Sequence, residues 1–99
     1  MINNIGIIGL GSIGCRHLRL LRELRPELII IAVRSGKGKK VIEEKLADTV
    51  VYSLEDAIKH GIEAAIIATP AVYHIQQATV LMEKGIHILL EKPLSHSLD

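Results

Sequence analysis

A glycine-rich segment near the start of the chain is the first candidate for binding chemistry. Gly9-Leu10-Gly11-Ser12-Ile13-Gly14 directly follows the apolar run Ile5–Ile8 and precedes a segment of helical period. In such a strand, loop and helix, the first glycine permits a tight turn and the second lets backbone approach a pyrophosphate. The third lets the helix pack close to the strand. The helix's first-turn amides and its dipole favour an anion there, so the spacing predicts a pyrophosphate site rather than a ligand-free turn.

A second candidate lies about 20 residues beyond the loop, where an acidic residue would bind the ribose 2′-hydroxyl of NAD. This chain has Arg34-Ser35 at that point. Arginine cannot accept a hydrogen bond from a hydroxyl, but it pairs with a 2′-phosphate, and Lys37, Lys39 and Lys40 follow closely. These residues favour NADP(H) over NAD(H). The alternative is that Arg34 stacks over the adenine and leaves the cofactor choice open.

Two proline-containing motifs follow the last two predicted strands. Ala68-Thr69-Pro70 ends one strand and Glu91-Lys92-Pro93 ends the next, at the sheet edge where ligands collect in open α/β folds. Lys92 can donate a hydrogen bond to a carbonyl or hydroxyl and stabilise developing alkoxide charge. A surface salt bridge is the competing interpretation of Lys92.

Short apolar runs alternate with segments of helical period, which predicts a doubly wound parallel α/β sheet of the Rossmann type with strand order 3-2-1-4-5. The predicted strands are Ile5–Ile8, Leu28–Val33, Thr49–Tyr52, Ala64–Ala68 and His87–Glu91. The predicted helices are Ser12–Leu24, a weak helix to about Leu46, a short helix from Ser53 to Gly61, and about Val72–Lys84. Ser53 and Asp56 resemble a capping box, and Gly61 and Gly85 suit left-handed helix ends.

Helical periodicity predicts which side chains face the sheet. In the first helix these are Ile13, His17, Leu18, Leu20, Leu21 and Leu24. In the last helix they are His74, Ile75, Ala78, Leu81 and Met82. His17 is expected to pack, whereas His74 lies in a first turn near the expected crevice and is a candidate for cofactor contact.

Composition limits the remaining possibilities. The 99 residues are 48% apolar, enough for one core, and the formal net charge of +1 gives no general attraction to nucleic acid or membranes. The single cysteine, Cys15, excludes an intrachain disulfide and fits a reducing compartment such as the cytoplasm. His60, His87 and His96 have no acidic or cysteine partners at metal spacing, so no metal is expected.

Taken together, the motifs resemble those of the glucose-fructose oxidoreductase, inositol dehydrogenase and MocA family. The matching residues are the glycine loop with Arg16-His17-Leu18, Ala68-Thr69-Pro70 with His74, and Glu91-Lys92-Pro93-Leu94. The resemblance covers essentially the whole chain. It implies an oxidoreductase that moves a hydride between NAD(P) and a sugar, cyclitol or similar carbonyl compound.

By the same resemblance, individual residues acquire expected roles. The pyrophosphate site would be Gly9, Gly11 and Gly14 with loop amides of Ser12 and Ile13, and the ribose or 2′-phosphate site would be Arg34 and Ser35. Thr69 and Pro70 would flank the nicotinamide ribose, Lys92 would contact substrate and nicotinamide, and Glu91 would orient Lys92. Ala71 departs from the family, where many members have asparagine after Thr-Pro, so one polar contact to the cofactor is in doubt.

The resemblance also bears on domain organisation. Residues 1–99 are expected to be one NAD(P)-binding Rossmann domain, a fragment without the family's C-terminal substrate domain, and a homo-oligomer is expected. The family's proton-transfer residues lie in that second domain, so the piece should bind dinucleotide without turning over substrate. The alternatives are a non-catalytic NAD(P)-binding or sensing module and a methyltransferase that uses S-adenosylmethionine.

Overall fold

The computed structural model describes residues 2–34, 42–69 and 71–90, without the side chains of Ser12, Ile42, Glu43, Ala71, Val72, His74 and Leu90. Strands and helices alternate along these segments, as the sequence predicts. The strands are β1 (Asn4–Ile8), β2 (Ile29–Val33), β3 (Thr49–Val51), β4 (Ala64–Ile67) and β5 (His87–Leu90). The helices are α1 (Ser12–Leu24), a 3-10 helix (Ile42–Leu46), α2 (Leu54–Lys59) and α3 (Ala71–Glu83).

The five strands form one parallel sheet in the order β3-β2-β1-β4-β5, which confirms the predicted topology. β1 is central, with Ile7 paired to Ala32 of β2 on one side and to Ile66 of β4 on the other. The chain moves outward from β1 to β3 and then returns to the opposite side of β1 at β4. A crevice opens at such a reversal, beyond the carboxyl ends of the strands.

Helices cover both faces of the sheet, and each face has its own apolar core. One core contains Ile7 and Ile30 with Leu18 of α1, and the other contains Ile31 and Leu81 of α3. All four residues of β4 are buried. The continuous apolar sequence of the inner strands therefore reflects burial on two sides, as predicted.

The predicted sheet-facing side of α1 is partly wrong. Cys15 and Leu18 are buried, but Leu20 is exposed and 74% of Leu24 is accessible to solvent. Helical geometry turns Leu20 and Leu24 about 160° and 120° away from Leu18. Because Gly14 brings α1 against the loop, the face of Gly14, Cys15 and Leu18 is the one that meets the sheet.

The prediction for α3 needs a similar correction. Ala78 and Leu81 are buried as expected, whereas Met82 is exposed and 81% of Ile75 is accessible. These two exposed residues lie about 100° or more around the helix from Leu81. The buried stripe of α3 is therefore narrower than its apolar sequence indicates.

The predicted helix boundaries have the expected local causes. The Ser53 hydroxyl accepts a hydrogen bond from the Asp56 amide at 3.1 Å, which caps the start of α2. Gly61 and Gly85 have φ values of +78° and +74° and follow α2 and α3 closely. Both predicted left-handed glycines are therefore confirmed.

An arginine joins α1 to the segment that leads into β3. The Arg22 guanidinium donates to the carbonyl oxygens of Leu46 at 2.7 Å and Leu28 at 2.7 Å, and to Asp48 Oδ2 at 2.9 Å. The same Asp48 oxygen accepts from the Ile30 amide at 2.8 Å. That backbone hydrogen bond first, and Arg22 second, lower the pKa of Asp48. The carboxylate therefore holds β2, α1 and the 3-10 helix together.

Candidate functional site

The loop between β1 and α1 depends on glycine at its first position. Gly9 has a φ of +97°, and its amide donates to the Val33 carbonyl at 2.9 Å. A Cβ atom at this position would lie 2.9 Å from Thr69 Cγ2 and 3.3 Å from the Ala68 carbonyl. The turn therefore needs glycine both for its backbone conformation and for the space beside β4.

Gly14 supports the same turn from within α1. A Cβ atom there would overlap the carbonyl oxygen of Gly9 and lie 2.9 Å from the carbonyl carbon. The helix consequently approaches the loop backbone more closely than any side chain would permit. This is the packing role that the sequence predicts for the third glycine.

Gly11 differs from the other two glycines because a Cβ atom there would meet nothing within 4 Å. It is the N-cap residue of α1, with an ordinary φ of −73°, and its carbonyl accepts the first helical hydrogen bond from Cys15 at 2.9 Å. The first turn of α1 has no acidic residue that would neutralise the positive end of the helix dipole. The space in front of Gly11 thus faces the positive end of α1.

A cleft of about 780 Å³ lies at the carboxyl ends of β1 to β4, where the strand order reverses. Its walls come from the glycine loop, from the residues that follow β2, β3 and β4, and from α3. The lining residues are Ile8, Gly9, Leu10, Gly11, Val33, Arg34, Tyr52, Ser53, Leu54, Ala68, Thr69, Tyr73 and Gln77. The glycine loop therefore opens into the crevice that the topology predicts.

Arg34 extends β2 by donating its amide to the Val51 carbonyl at 2.9 Å. The residue lines the cleft, and its side chain forms an ion pair with Glu44 of the 3-10 helix. The two side chains are only 9% and 15% exposed. Sequence reasoning identified Arg34 but missed Glu44, because the weak helical pattern there gave no indication of which acidic residue would turn toward β2.

Thr69 lies directly after β4 and lines the cleft. Its hydroxyl donates to the side-chain oxygen of Gln77 at 2.6 Å. This bond ties the end of β4 to the second turn of α3. Gln77 is a second site residue that the sequence did not reveal, since an amide on a helix has no signature of its own.

Tyr52 and Tyr73 approach the cleft from β3 and α3. The sequence has no Phe or Trp and only these two tyrosines. Their side chains are 56% and 51% exposed, so each ring is available to the cleft. Flat, half-exposed rings offer stacking surfaces with a polar tip. The position of these two tyrosines, one directly after β3 and one at the start of α3, would have been a usable sequence signal.

The structure brings together four of the predicted cofactor-binding residues: Gly9, Gly11, Arg34 and Thr69. Gly14 and the half-buried Ile13 support the loop, and His17 is also half-buried. The remaining predictions fall on positions or side chains outside the described part of the chain: Ser12, Ser35, Lys37, Lys39, Lys40, Pro70, His74, Glu91 and Lys92. Their roles stay predictions.

Two further properties concern the described residues alone. They contain no group of three or more His, Cys, Asp or Glu side chains placed to hold a metal ion. None of the described helices is long and apolar enough to cross a membrane. Cys15 is buried, and its thiol contacts the Leu10 carbonyl oxygen at 3.5 Å.

A parallel sheet ordered 3-2-1-4-5, with a glycine loop opening into the crevice at its switch point, defines a dinucleotide-binding Rossmann domain. The chain belongs to the GFO_IDH_MocA family, described as an oxidoreductase family with an NAD-binding Rossmann fold, whose model matches residues 3–99. The resemblance drawn from the sequence motifs is thereby confirmed, and the domain's ligand is a nicotinamide dinucleotide.

Several curated relatives are inositol dehydrogenases. Inositol 2-dehydrogenase 1 of Saccharopolyspora erythraea is 33% identical, over 96% of this chain and 30% of its own length. Two relatives come from Bacillus subtilis. The scyllo-inositol 2-dehydrogenase (NAD(+)) is 32% identical over 94% of this chain and 28% of its own length. The scyllo-inositol 2-dehydrogenase (NADP(+)) IolW is 26% identical over 92% of this chain and 26% of its own length. The chain thus spans less than a third of the relatives that it matches.

A solved structure with the same fold is UDP-N-acetylglucosamine 3-dehydrogenase GnnA from Acidithiobacillus ferrooxidans. It superposes with a TM-score of 0.70 at 26% identity, over 97% of this chain and 30% of that one. The similarity again covers only the dinucleotide-binding part of a longer protein.

Proposed function

We propose that the chain is the nucleotide-binding part of an NAD(P)-dependent oxidoreductase acting on a sugar, a cyclitol or a related carbonyl compound. The observation that carries this proposal is the open approach to Gly11 at the amino end of α1, inside the cleft. The names of the dehydrogenase relatives supply the substrate class.

The cleft suggests how a dinucleotide would be arranged. The pyrophosphate would lie at Gly9 and Gly11, where first-turn amides of α1 point outward and a Cβ would hinder close approach. The adenosine ribose would lie toward Arg34, and the nicotinamide ribose toward Thr69. When bound, the nicotinamide accepts or supplies the hydride, while the chain's own residues bind and orient it.

The proposal includes a modest preference for NADP(H). Arg34 lines the cleft at the end of β2, where a carboxylate would be needed to accept a hydrogen bond from a ribose 2′-hydroxyl. A guanidinium instead offers paired donors to a 2′-phosphate. The relatives include proteins named for each cofactor, so the preference for NADP(H) is supported by Arg34 and not by the relatives.

The proposed reaction also uses residues outside the described part of the chain. By the family resemblance, Lys92 would donate a hydrogen bond to the substrate oxygen, and Glu91 would orient Lys92. Ser35, Pro70 and His74 would complete the ribose contacts. A separate substrate domain, a homo-oligomeric enzyme and a reducing compartment such as the cytoplasm belong to the same proposal.

Calorimetric titration of the chain with NADP+ and NAD+ tests the nucleotide site, and both should bind, NADP+ more tightly. Gly11→Ala should weaken both by about tenfold to a hundredfold, the loss of roughly one charge-assisted hydrogen bond. Its thermal stability should be unchanged, because the new methyl group meets no protein atom within 4 Å. Gly11→Ala binding both cofactors as tightly as the parent would contradict the proposed pyrophosphate position.

Two other results would overturn the functional proposal. A folded chain that binds S-adenosylmethionine but neither dinucleotide would be a methyltransferase domain. A full-length protein that binds dinucleotide but transfers no hydride to any sugar or cyclitol would be a sensing module. The 99-residue chain by itself should show no dehydrogenase activity.

A further inference from the structure

The Arg34–Glu44 ion pair is an unusual feature for a site that would recognise a phosphate. Arg34 lines the cleft, whereas Glu44 lies behind it and is not among the lining residues. Both side chains are more than four-fifths buried. A carboxylate therefore already occupies one donor of the guanidinium that would bind the 2′-phosphate.

The backbone that carries Glu44 is held from both sides. Its carbonyl accepts from the Ala47 amide at 3.1 Å, and the Leu46 carbonyl accepts two hydrogen bonds from Arg22, at 2.9 and 2.7 Å. Asp48, two residues after Leu46, donates its amide to the Ile30 carbonyl at 2.9 Å. Glu44 is thus attached to a well-anchored helix rather than to a free loop.

We propose that Glu44 is a positioning residue that limits discrimination between NADP and NAD by holding Arg34 and occupying one of its hydrogen-bond donors. The inference rests on the proposed function, in which Arg34 faces the adenosine ribose. A 2′-phosphate must compete with the Glu44 carboxylate for the guanidinium. A 2′-hydroxyl carries no charge, so Glu44 affects NAD binding far less.

Replacing Glu44 with glutamine keeps the side-chain shape and removes the negative charge. The NADP+ to NAD+ affinity ratio should rise about tenfold, since the guanidinium regains a donor for the 2′-phosphate and a charge-assisted hydrogen bond contributes at least that factor. Glu27→Gln is the matched control. It removes the same charge and also breaks an arginine ion pair, with Arg25. This pair lies in the exposed connection before the amino end of β2, whereas Arg34 follows the carboxyl end of that strand.

A double-mutant cycle separates this role from a purely structural one. Arg34→Gln should abolish most of the preference for NADP+, and Glu44→Gln added to Arg34→Gln should leave the ratio unchanged. A general loosening of the 3-10 helix would instead weaken both cofactors to the same degree. The double variant also avoids leaving a buried carboxylate without its arginine, so it should fold.

The outcomes distinguish this inference from the proposed function. If the parent chain binds neither dinucleotide, the proposed function fails. If the parent binds both and Glu44→Gln leaves the ratio unchanged or lowers it, the role of Glu44 is wrong while the site stands. A ratio that rises equally in the Arg34→Gln background would also refute the role, because the effect would not pass through Arg34.

Discussion

The contact between α1 and the glycine loop predicts a large loss of stability for Gly14→Ala. The added methyl group would overlap the Gly9 carbonyl oxygen and lie 2.9 Å from its carbon, where ordinary contacts begin at 3.4 Å. The obstacle is backbone on both sides, so no side chain can rotate away. Either α1 must move outward by more than an ångström or the turn at Gly9 must open.

The expected cost is about 3 kcal/mol, at the upper end of the range for an overpacked site. A chain of this length has a total stability of roughly 5 to 15 kcal/mol, so the variant would lose a large part of it. The greater helix propensity of alanine offsets only about 1 kcal/mol. Gly14→Ala should therefore unfold at a clearly lower urea concentration than the parent.

Urea unfolding followed by far-ultraviolet circular dichroism measures this difference, and Gly11→Ala is the matched control. The control adds the same methyl group three residues earlier, where it meets nothing within 4 Å, and should unfold with the parent. If both variants unfold at the same urea concentration as the parent, the close approach of α1 to the loop is not a constraint. The explanation given for the third glycine would then be wrong.

Two other predictions follow from the site and its support. The chain's fluorescence emission comes from Tyr52 and Tyr73 alone, and both residues line the cleft. Saturating NADP+ should therefore quench tyrosine fluorescence after correction for absorption by the nucleotide. Unchanged emission would place the dinucleotide elsewhere. The second concerns Asp48, whose folded-state pKa is lowered, so its contribution to stability is present above the unfolded pKa of about 4 and is lost as pH falls through the lower folded-state pKa. Asp48→Asn should accordingly be less stable than the parent at pH 7, with a deficit that shrinks as the pH is lowered below about 4, and a deficit independent of pH would contradict the assignment.

Much of the fold could be predicted from local sequence. Continuous apolar runs marked the strands buried on two faces, and Ser53, Gly61 and Gly85 marked helix ends through their own capping geometry. The parallel order followed because right-handed strand, helix and strand units offer few alternatives. Strand ends were less certain, and the predicted residues Tyr52 and Ala68 lie just beyond β3 and β4.

The candidate site was predictable only where a backbone requirement left a mark on the sequence. Gly9 and Gly14 could be identified because each needs the absence of a side chain for a different reason, whereas a Cβ atom at Gly11 would meet no protein atom within 4 Å. Arg34 and Thr69 were identified by their position at strand ends. Glu44 and Gln77 were missed, since nothing in the local sequence states which distant side chain a carboxylate or an amide will meet.

The sequence by itself determined the class of fold and the loop that would hold a pyrophosphate, since both depend on spacing within a few residues. Tertiary structure decided how the helices are rotated on the sheet, leaving Leu24 and Ile75 outside, because the contact at Gly14 and the narrow stripe at Leu81 set the buried faces. It also decided that Arg34 is paired with Glu44. That pairing joins residues ten positions apart through separate elements, and only packing brings them together.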